Sequence, residues 1–356
     1  MDFQLSADQL ALQEMARDFF AGNGGIAGAR AVLAGDGELP DVSADLRKLG
    51  LLGLLAESGD EAGTVLDLAV VAEQAGRTLT PTPLAGTAAR AVPLLRDVAT
   101  PPAAELLGRI LDGAVRVAVA DVREVELSAD GTVSGVTGPA PGGTIAGTLI
   151  MPAWRADGAA LVSVQVSSHA VAASRPALDP TRELATFELT SAPATVLATG
   201  EAATAAWERA RDIAVVVLAA EDLGTTGECV RRAVEYAKDR TAFGRRIGSF
   251  QAVKHALVDA YVAEEQLRSL VWLAAWSADA DPRNLPLYAS AAAAYAAGAA
   301  ERAAETLIQV HGGIGFTWEH DAHLFWRRAK VDRALLGDVH EHRARVARLQ
   351  LAGVSA

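Results

Sequence analysis

Residues 238–254 read Lys238-Asp239-Arg240-Thr241-Ala242-Phe243-Gly244-Arg245-Arg246-Ile247-Gly248-Ser249-Phe250-Gln251-Ala252-Val253-Lys254, five basic residues and one acidic in a chain of formal charge −12. The stretch ends one long helical segment and begins another. Upstream, Glu201 to Asp239 contains no proline and only Gly224 and Gly227 as breakers. A helix over these 39 residues would run roughly 58 Å at 1.5 Å per residue. Downstream, Val253, Leu257, Ala260, Tyr261, Leu267, Leu270 and Val271 recur mostly at three- and four-residue spacings, which predicts a helix from near Ser249 to just before Pro282. A third helix is expected over about 287–310, stopped by Gly312-Gly313, and a fourth over about 322–335, with a short terminal helix near 341–351. Long antiparallel helices with short connections make a four-helix bundle, here spanning 200–356.

Working outward, residues 111–199 have the texture of strands. Val115, Val117 and Val119 fall on one face of a strand, and in Val122–Leu127 the valine and leucine alternate with Glu124 and Glu126. Asp130-Gly131 is a hairpin-type turn. Residues 148–151, 160–164 and 186–189 are further short strands, and Gly138-Pro139-Ala140-Pro141-Gly142-Gly143 is a turn or loop. This region is read as a small antiparallel β domain. Residues 1–110 read as a helical domain. Ser6 and Gln9 form a capping box flanked by Leu5 and Leu10, and Asn23-Gly24-Gly25 ends the first helix. Helices near 42–49 and 64–75 follow, and Pro81, Pro83, Pro101 and Pro102 punctuate the rest. The fold class is therefore α+β, in the order helical, β, helical.

Composition narrows the function. With 32 Lys plus Arg against 44 Asp plus Glu, the chain lacks the basic surplus of a nucleic-acid binder. Its single cysteine, Cys229, excludes an intrachain disulfide. The start has no basic and apolar leader, and no run stays apolar for the ~18 residues of a membrane span. A cytoplasmic protein without membrane partners is expected.

Two stretches carry chemistry. In the first, Arg240 offers a planar fork of donors for phosphate oxygens, Ser249 is a candidate N-cap whose following amides favour anions, and Phe243 and Phe250 suit a flat ring. The competing reading is a solvated inter-helix loop with both Phe packed inward. The second stretch is Gln309-Val310-His311-Gly312-Gly313-Ile314-Gly315-Phe316-Thr317-Trp318-Glu319-His320. Its glycines leave backbone amides open to a ligand, or they serve a helix C-cap and tight turn. The histidines match no metal-ligand spacing, so no metal is expected. Cys229 has no partner base nearby and reads as a helix-face residue.

Together, in this order, Arg240-Thr241-Ala242-Phe243-Gly244, Ser249-Phe250-Gln251 and Gln309 to Thr317 resemble the C-terminal domain of acyl-CoA dehydrogenases. Asp179-Pro180-Thr181-Arg182 and Leu49-Gly50-Leu51-Leu52-Gly53 are similar to that family too, and the helical–β–helical order agrees. The resemblance implies FAD bound at a subunit interface, with one subunit contacting cofactor held mainly by its neighbour. It implies that Arg240 meets the pyrophosphate, that Phe243, Phe250 and Gln251 line the cofactor, and that Gln309, Val310, Gly312 and Gly313 meet the adenosine end. The family reaction removes an α-proton of an acyl-CoA thioester with a glutamate while hydride passes to the flavin.

The chain departs from that pattern twice. Where relatives place the glutamate after the last long helix, the sequence reads Ala334-Leu335-Leu336-Gly337-Asp338. The alternative position, 26 residues before Arg240, holds Ala214. The acidic Gly/Ser-rich flavin loop expected after Val117-Ala118-Val119-Ala120 is replaced by Asp121-Val122-Arg123-Glu124, and the Trp-containing flavin-backing strand by Gly138-Pro139-Ala140-Pro141. No catalytic residue is assigned. The resemblance then implies the non-catalytic subunit of a heteromeric acyl-CoA dehydrogenase of lipid or steroid catabolism. Its partners would be a paralogous acyl-CoA dehydrogenase subunit, an acyl-CoA substrate and an electron-transfer acceptor. Two alternatives stand beside it: a self-sufficient dehydrogenase with its base relocated to Glu221 or Asp338, and a flavin-free helical interaction protein.

Overall fold

A computed structural model of the protein describes residues 4–354 except Gly24, Asp36, Asp60, Glu61, Ala156, Asp157 and Pro176. The elements begin with α1 (Ala7–Gly22), α2 (Gly25–Ala34), α3 (Ser43–Lys48), α4 (Val65–Thr78), a π-helical stretch Leu84–Ala91, α5 (Val92–Val98) and α6 (Pro101–Leu111). The strands are β1 (Val117–Val119), β2 (Val122–Leu127), β3 (Thr132–Thr137), β4 (Thr148–Arg155), β5 (Gly158–Gln165), β6 (Ala170–Ser174) and β7 (Ala185–Thr199). Then come α7 (Gly200–Asp239), the short hairpin β8 (Thr241–Ala242) and β9 (Arg245–Arg246), α8 (Gln251–Ala280), α9 (Leu285–His311), α10 (Ala322–Asp332) and α11 (Val339–Val354). Among the described residues no helix is long and apolar enough to cross a membrane.

Two compact units divide these elements. One holds the residues up to Pro40, Ala69–Pro81 and Val215 onward; the other holds Asp41–Leu68 and Thr82–Ala214. The N-terminal helices are thus shared between the units.

The first unit is helical. The capping box at α1 forms as the sequence implies: Ser6 Oγ accepts the Gln9 N–H (3.2 Å) and Gln9 Oε1 accepts the Ser6 N–H (3.1 Å). Asn23 caps the other end of α1, while Gly24 of the predicted stop lies outside the described residues. α4 and α7 cross at a reciprocal pair of glycines. A Cβ on Gly76 would lie 1.9 Å from the Glu221 carbonyl oxygen, and one on Gly224 would lie 1.8 Å from that of Glu73. Gly224 is therefore no helix breaker; it is the notch that lets α4 approach. α9 brings a stripe of buried alanines, Ala289, Ala292, Ala296, Ala299 and Ala303, to a core it shares with α8, α10 and α11. Small side chains allow short interaxial distances. Buried charge is paired: Glu73 accepts from Arg77 (3.0 Å) and Arg268 (2.9 Å), and Arg268 also donates to Glu264 (2.8 Å).

The second unit is built on a seven-stranded sheet whose pairings close on themselves, β4–β2–β3–β7–β5–β4. Val125, Leu127, Val133, Leu149, Met151 and Phe187 fill its interior. Glu124 and Glu126 point to solvent opposite Val125 and Leu127, as the alternation requires. The sheet is antiparallel in most pairings, but β1 runs parallel to β4, and β2 touches β4 in parallel at Glu126–Trp154. The cause is visible in β1. Val117, Ala118 and Val119 are all buried, the continuous apolar run of a strand covered on both faces. Pro101 and Pro102, read as punctuation, instead open α6. They occupy its first turn, where the missing N–H costs nothing, and Thr100 Oγ1 accepts the Ala103 N–H (3.4 Å).

Candidate functional site

α7 ends at Asp239, and the chain reverses through β8 and β9 around Phe243 and Gly244. Both central residues have positive φ, +52° and +77°, which makes the connection a two-residue turn of the I′ kind. Asn-Gly is the usual solution; a bulky residue in the left-handed region is a conformational outlier. Phe243 is also 97% exposed. The inward-packed reading of Phe243 is therefore excluded: the turn carries strain to hold an aromatic ring in solvent. Phe250 is half-buried, meets Phe243 edge-on at 6.3 Å, and lies under the Arg245 guanidinium at 4.1 Å. Arg246 anchors the hairpin by donating to the Lys238 carbonyl (2.5 Å) and the Asp239 carbonyl (3.0 Å). Arg240 and Gln251 are exposed. Ser249 is not the N-cap of α8. Its hydroxyl donates to the Arg246 carbonyl (2.7 Å), and Phe250 occupies the cap without a side-chain bond.

The second stretch lies at the end of α9. Gln309 is exposed and Val310 half-buried, and a 3-10 turn runs over Gly312–Phe316. A Cβ on Gly312 or Gly313 would meet nothing within 4 Å, whereas one on Gly315 would lie 2.7 Å from the Ile308 carbonyl oxygen. The glycines thus divide: Gly315 is there for close packing, and Gly312 and Gly313 face open space. Gly312 also caps α9, its amide donating to the carbonyls of Gln309 and Ile308, so that amide is not available to a ligand as the sequence suggested. Gln309 further lines a cavity of about 510 Å³ with Ile308, Phe316, Trp318 and Trp326, within the range of small-molecule sites.

Ring contacts connect the two stretches. Tyr236, in the last turn of α7, stacks on His311 with centroids 4.0 Å apart, and His311 meets His320 at 4.2 Å. The residues singled out in the sequence therefore gather at one end of the helical unit, in two groups bridged by Tyr236 and His311. No spacing in the sequence marks Tyr236 or His320; the bridge exists only in the fold.

The positions where relatives carry a base look different. Leu336 has φ +58° and offers no carboxylate. Glu221, on α7, is 1% exposed, with Oε2 3.8 Å from Nη1 of the fully buried Arg328; it is part of the helical core. Asp338 caps α11. Its Oδ1 accepts the N–H groups of Glu341 (2.9 Å) and His340 (2.7 Å), and these bonds, Glu341 first, hold its carboxyl below the ordinary range. Cys229 is buried, and that burial, reinforced by Glu228, pushes its thiol far up, as for an inert packing residue.

In the sheet unit, β1 passes to β2 through Ala120 and Asp121 alone. Asp121 accepts from Arg90 Nη2 (2.5 Å), and the buried Arg90 guanidinium lies 4.5 Å from the Trp207 ring. A cavity beside Asp121, with Trp154 and Trp207 in its walls, measures about 180 Å³, below the range of ligand sites. Arg90 carries little signal in the sequence, a lone cation in an alanine-rich run. Among the described residues no group of three or more His, Cys, Asp or Glu could hold a metal ion.

Comparison with known proteins identifies this architecture. Residues 198–351 match the family model of the acyl-CoA dehydrogenase C-terminal domain. The acyl-CoA dehydrogenase IpdE2 of Mycobacterium tuberculosis is 33% identical over 334 residues, covering 93% of each protein. The chain belongs to the acyl-CoA dehydrogenase family. The acyl-CoA dehydrogenase FadE34 of the same organism is 39% identical over 88% of this chain, which spans only 42% of that protein's length. Among solved structures, the steroid ACAD Tcur3481–Tcur3483 superposes with a TM-score of 0.86 at 26% identity, covering 98% of this chain and 99% of that one. The ChsE4–ChsE5 complex of M. tuberculosis also gives 0.86, at 24% identity over 99% of both chains.

The family resemblance implies FAD, and the two regions of this chain differ in how well their residues suit it. At the ends of α7 and α9, an exposed guanidinium, a solvent-held aromatic ring and an open glycine turn suit the pyrophosphate and flat rings of a dinucleotide. At the β1–β2 corner the strands are joined by Ala120 and Asp121 alone, and an aspartate paired with a buried arginine stands where the resemblance implies a flavin loop. That corner does not fit a flavin.

Proposed function

We propose that this chain is the non-catalytic subunit of a heteromeric acyl-CoA dehydrogenase. It lends Arg240, Phe243, Phe250 and Gln251, together with Gln309, Val310, Gly312 and Gly313, to FAD held mainly by a paralogous catalytic subunit. The observation that carries this reading is the exposed Phe243 on a strained turn beside Arg240, in a chain whose base position is Leu336. A conformation that costs energy and buries nothing is retained for what it contacts outside the chain. Arg240 would hold the pyrophosphate by charge-assisted, bidentate donation; Phe243 and Phe250 would cover ring faces; the 312–313 turn would admit the adenosine end closely. FAD, when bound, supplies the hydride acceptor for α,β-desaturation of an acyl-CoA thioester, from which electrons leave to a separate acceptor. The α-proton would be taken by the partner, because Glu221 is committed to the core and Asp338 to a helix cap. The steroid ACAD among the similar structures supports a bulky, steroid-derived acyl group.

Visible flavin absorbance tests this reading. The purified chain should be colourless, and the complex with its paralogous partner yellow. Arg240→Ala should strip flavin from the complex. A yellow chain on its own that desaturates an acyl-CoA would make it a self-sufficient enzyme, and absence of flavin from both preparations would make it an interaction protein.

A further inference from the structure

We infer that Tyr236, His311 and His320 are positioning residues: their ring stack holds the Phe243-Gly244 hairpin and the Gly312–Phe316 turn in one arrangement, and protonation of His320 releases it. The inference rests on the function proposed above. The Tyr236 carbonyl accepts the Arg240 N–H (2.9 Å), so the ring sits one turn below the hairpin. His311 is the last residue of α9 and joins directly to Gly312. Stacked at 4.0 Å with 27° between their planes, the two rings tie one helix end to the other. His320, at 4.2 Å and 41° from His311, joins the stack to the start of α10.

The hydrogen bonds fix the protons. His311 Nδ1 donates to the Leu307 carbonyl (2.8 Å), because a carbonyl can only accept. His320 Nδ1 accepts the Ala322 N–H (3.1 Å), because an amide N–H can only donate. Neutral His320 therefore carries its proton on Nε2. A second proton at Nδ1 would face an N–H donor, break that bond and place a cation beside His311.

The surrounding charges oppose that proton on balance. Arg30 from α2 and Arg232 from α7 disfavour it. Asp321 favours it but is shared with both arginines, at 3.1 Å from Arg30 Nε and 3.7 Å from Arg232 Nη1. From α10, His323 and Arg327 add no negative charge, and Glu228 of α7 is engaged by Arg232 (2.6 Å). Glu319, beside the stack in sequence, is exposed. Burial first, and His311 second, hold His320 below the ordinary imidazole value. The neutral form is thus favoured in the fold. Its stabilisation is complete above the ordinary value of about 6.5 and is lost as pH falls through the depressed one.

The test follows histidine ring NMR signals and amide hydrogen exchange over 241–247 and 312–317 in the purified chain from about pH 7.5 to 5, the window in which imidazoles titrate. The wild type should show His320 titrating below the ordinary range, with exchange in both segments rising together as it charges. Tyr236→Leu should speed exchange in both segments roughly tenfold at neutral pH. Tyr236→Phe, which keeps the ring, should behave as wild type. His320→Leu should abolish the pH step, and it serves if Tyr236→Leu does not fold. Unchanged exchange over 312–317 in Tyr236→Leu, or a pH step surviving in His320→Leu, would overturn the inference. Flavin content of the mixed complex separates the two ideas. If Arg240→Ala keeps its flavin, the cofactor-lending role fails. If Arg240→Ala loses flavin while Tyr236→Leu retains it, positioning alone fails.

Discussion

At the C-terminal end of α7, Arg240 and Phe243 stand in solvent, Phe243 on a strained turn that buries almost none of its ring. At the corner between β1 and β2, Asp121 meets a buried Arg90 stacked on Trp207, so the charge there is answered within the chain. Both regions belong to the acyl-CoA dehydrogenase fold, yet only the first holds its cation and its ring in solvent. The sheet and the bundle are maintained by their cores. A ligand surface rests on few residues, so one half of a site can be lost while the other remains.

The comparison breaks first at Arg240. Removing a charge-assisted hydrogen bond costs about 1.5–3 kcal/mol, so Arg240→Ala should weaken flavin retention by the mixed complex some ten- to hundredfold, read by absorbance after gel filtration. Gly224→Ala tests the scaffold instead. A methyl 1.8 Å from the Glu73 carbonyl oxygen cannot be accommodated without moving α4, and overpacking of this kind costs about 1–3 kcal/mol or more. A fall in Tm is expected, and an unchanged Tm would refute the close crossing.

Phe243→Asn sharpens the contrast between stability and binding. Asn tolerates the left-handed region that costs other residues about 1–2 kcal/mol, so the variant should melt higher while its complex holds flavin less well. If both properties fall together, the exposed ring is structural. The smallest effect is expected at Leu336→Glu. Restoring a carboxylate where the resemblance places the base should give the purified chain no activity with an acyl-CoA and a dye acceptor, because the β1–β2 corner still lacks the implied flavin loop. Turnover there would show that the base was the sole missing part.

Much of this was legible because local rules were obeyed. The capping box at Ser6 and Gln9, the alternation in β2 and the long proline-free α7 need only their own neighbours to be recognised. Local pattern is ambiguous where one residue type serves two purposes. Pro101 and Pro102 start a helix as readily as they end one. Gly224 in α7 has the residue type of a breaker but accommodates a neighbouring backbone. Ser249 had the right type and place for a cap, yet its hydroxyl turned back to Arg246. In β1 valine occupies every second position, as in an alternating strand, but burial on both faces goes with its parallel pairing to β4.

From sequence alone came the helical–β–helical order, the exclusion of a disulfide framework, and the Arg240-to-Gly313 constellation that places the chain among acyl-CoA dehydrogenases. These follow from composition, periodicity and resemblance, each motif carried by one short stretch of chain. Only the tertiary structure decided that Phe243 faces solvent, that Glu221 belongs to a buried pair with Arg328, and that Arg90 neutralises Asp121. It alone brought Tyr236, His311 and His320 into one stack. Each of these depends on partners up to 107 positions apart, as for Glu221 and Arg328, and contacts at that separation are set by packing, which no local pattern records.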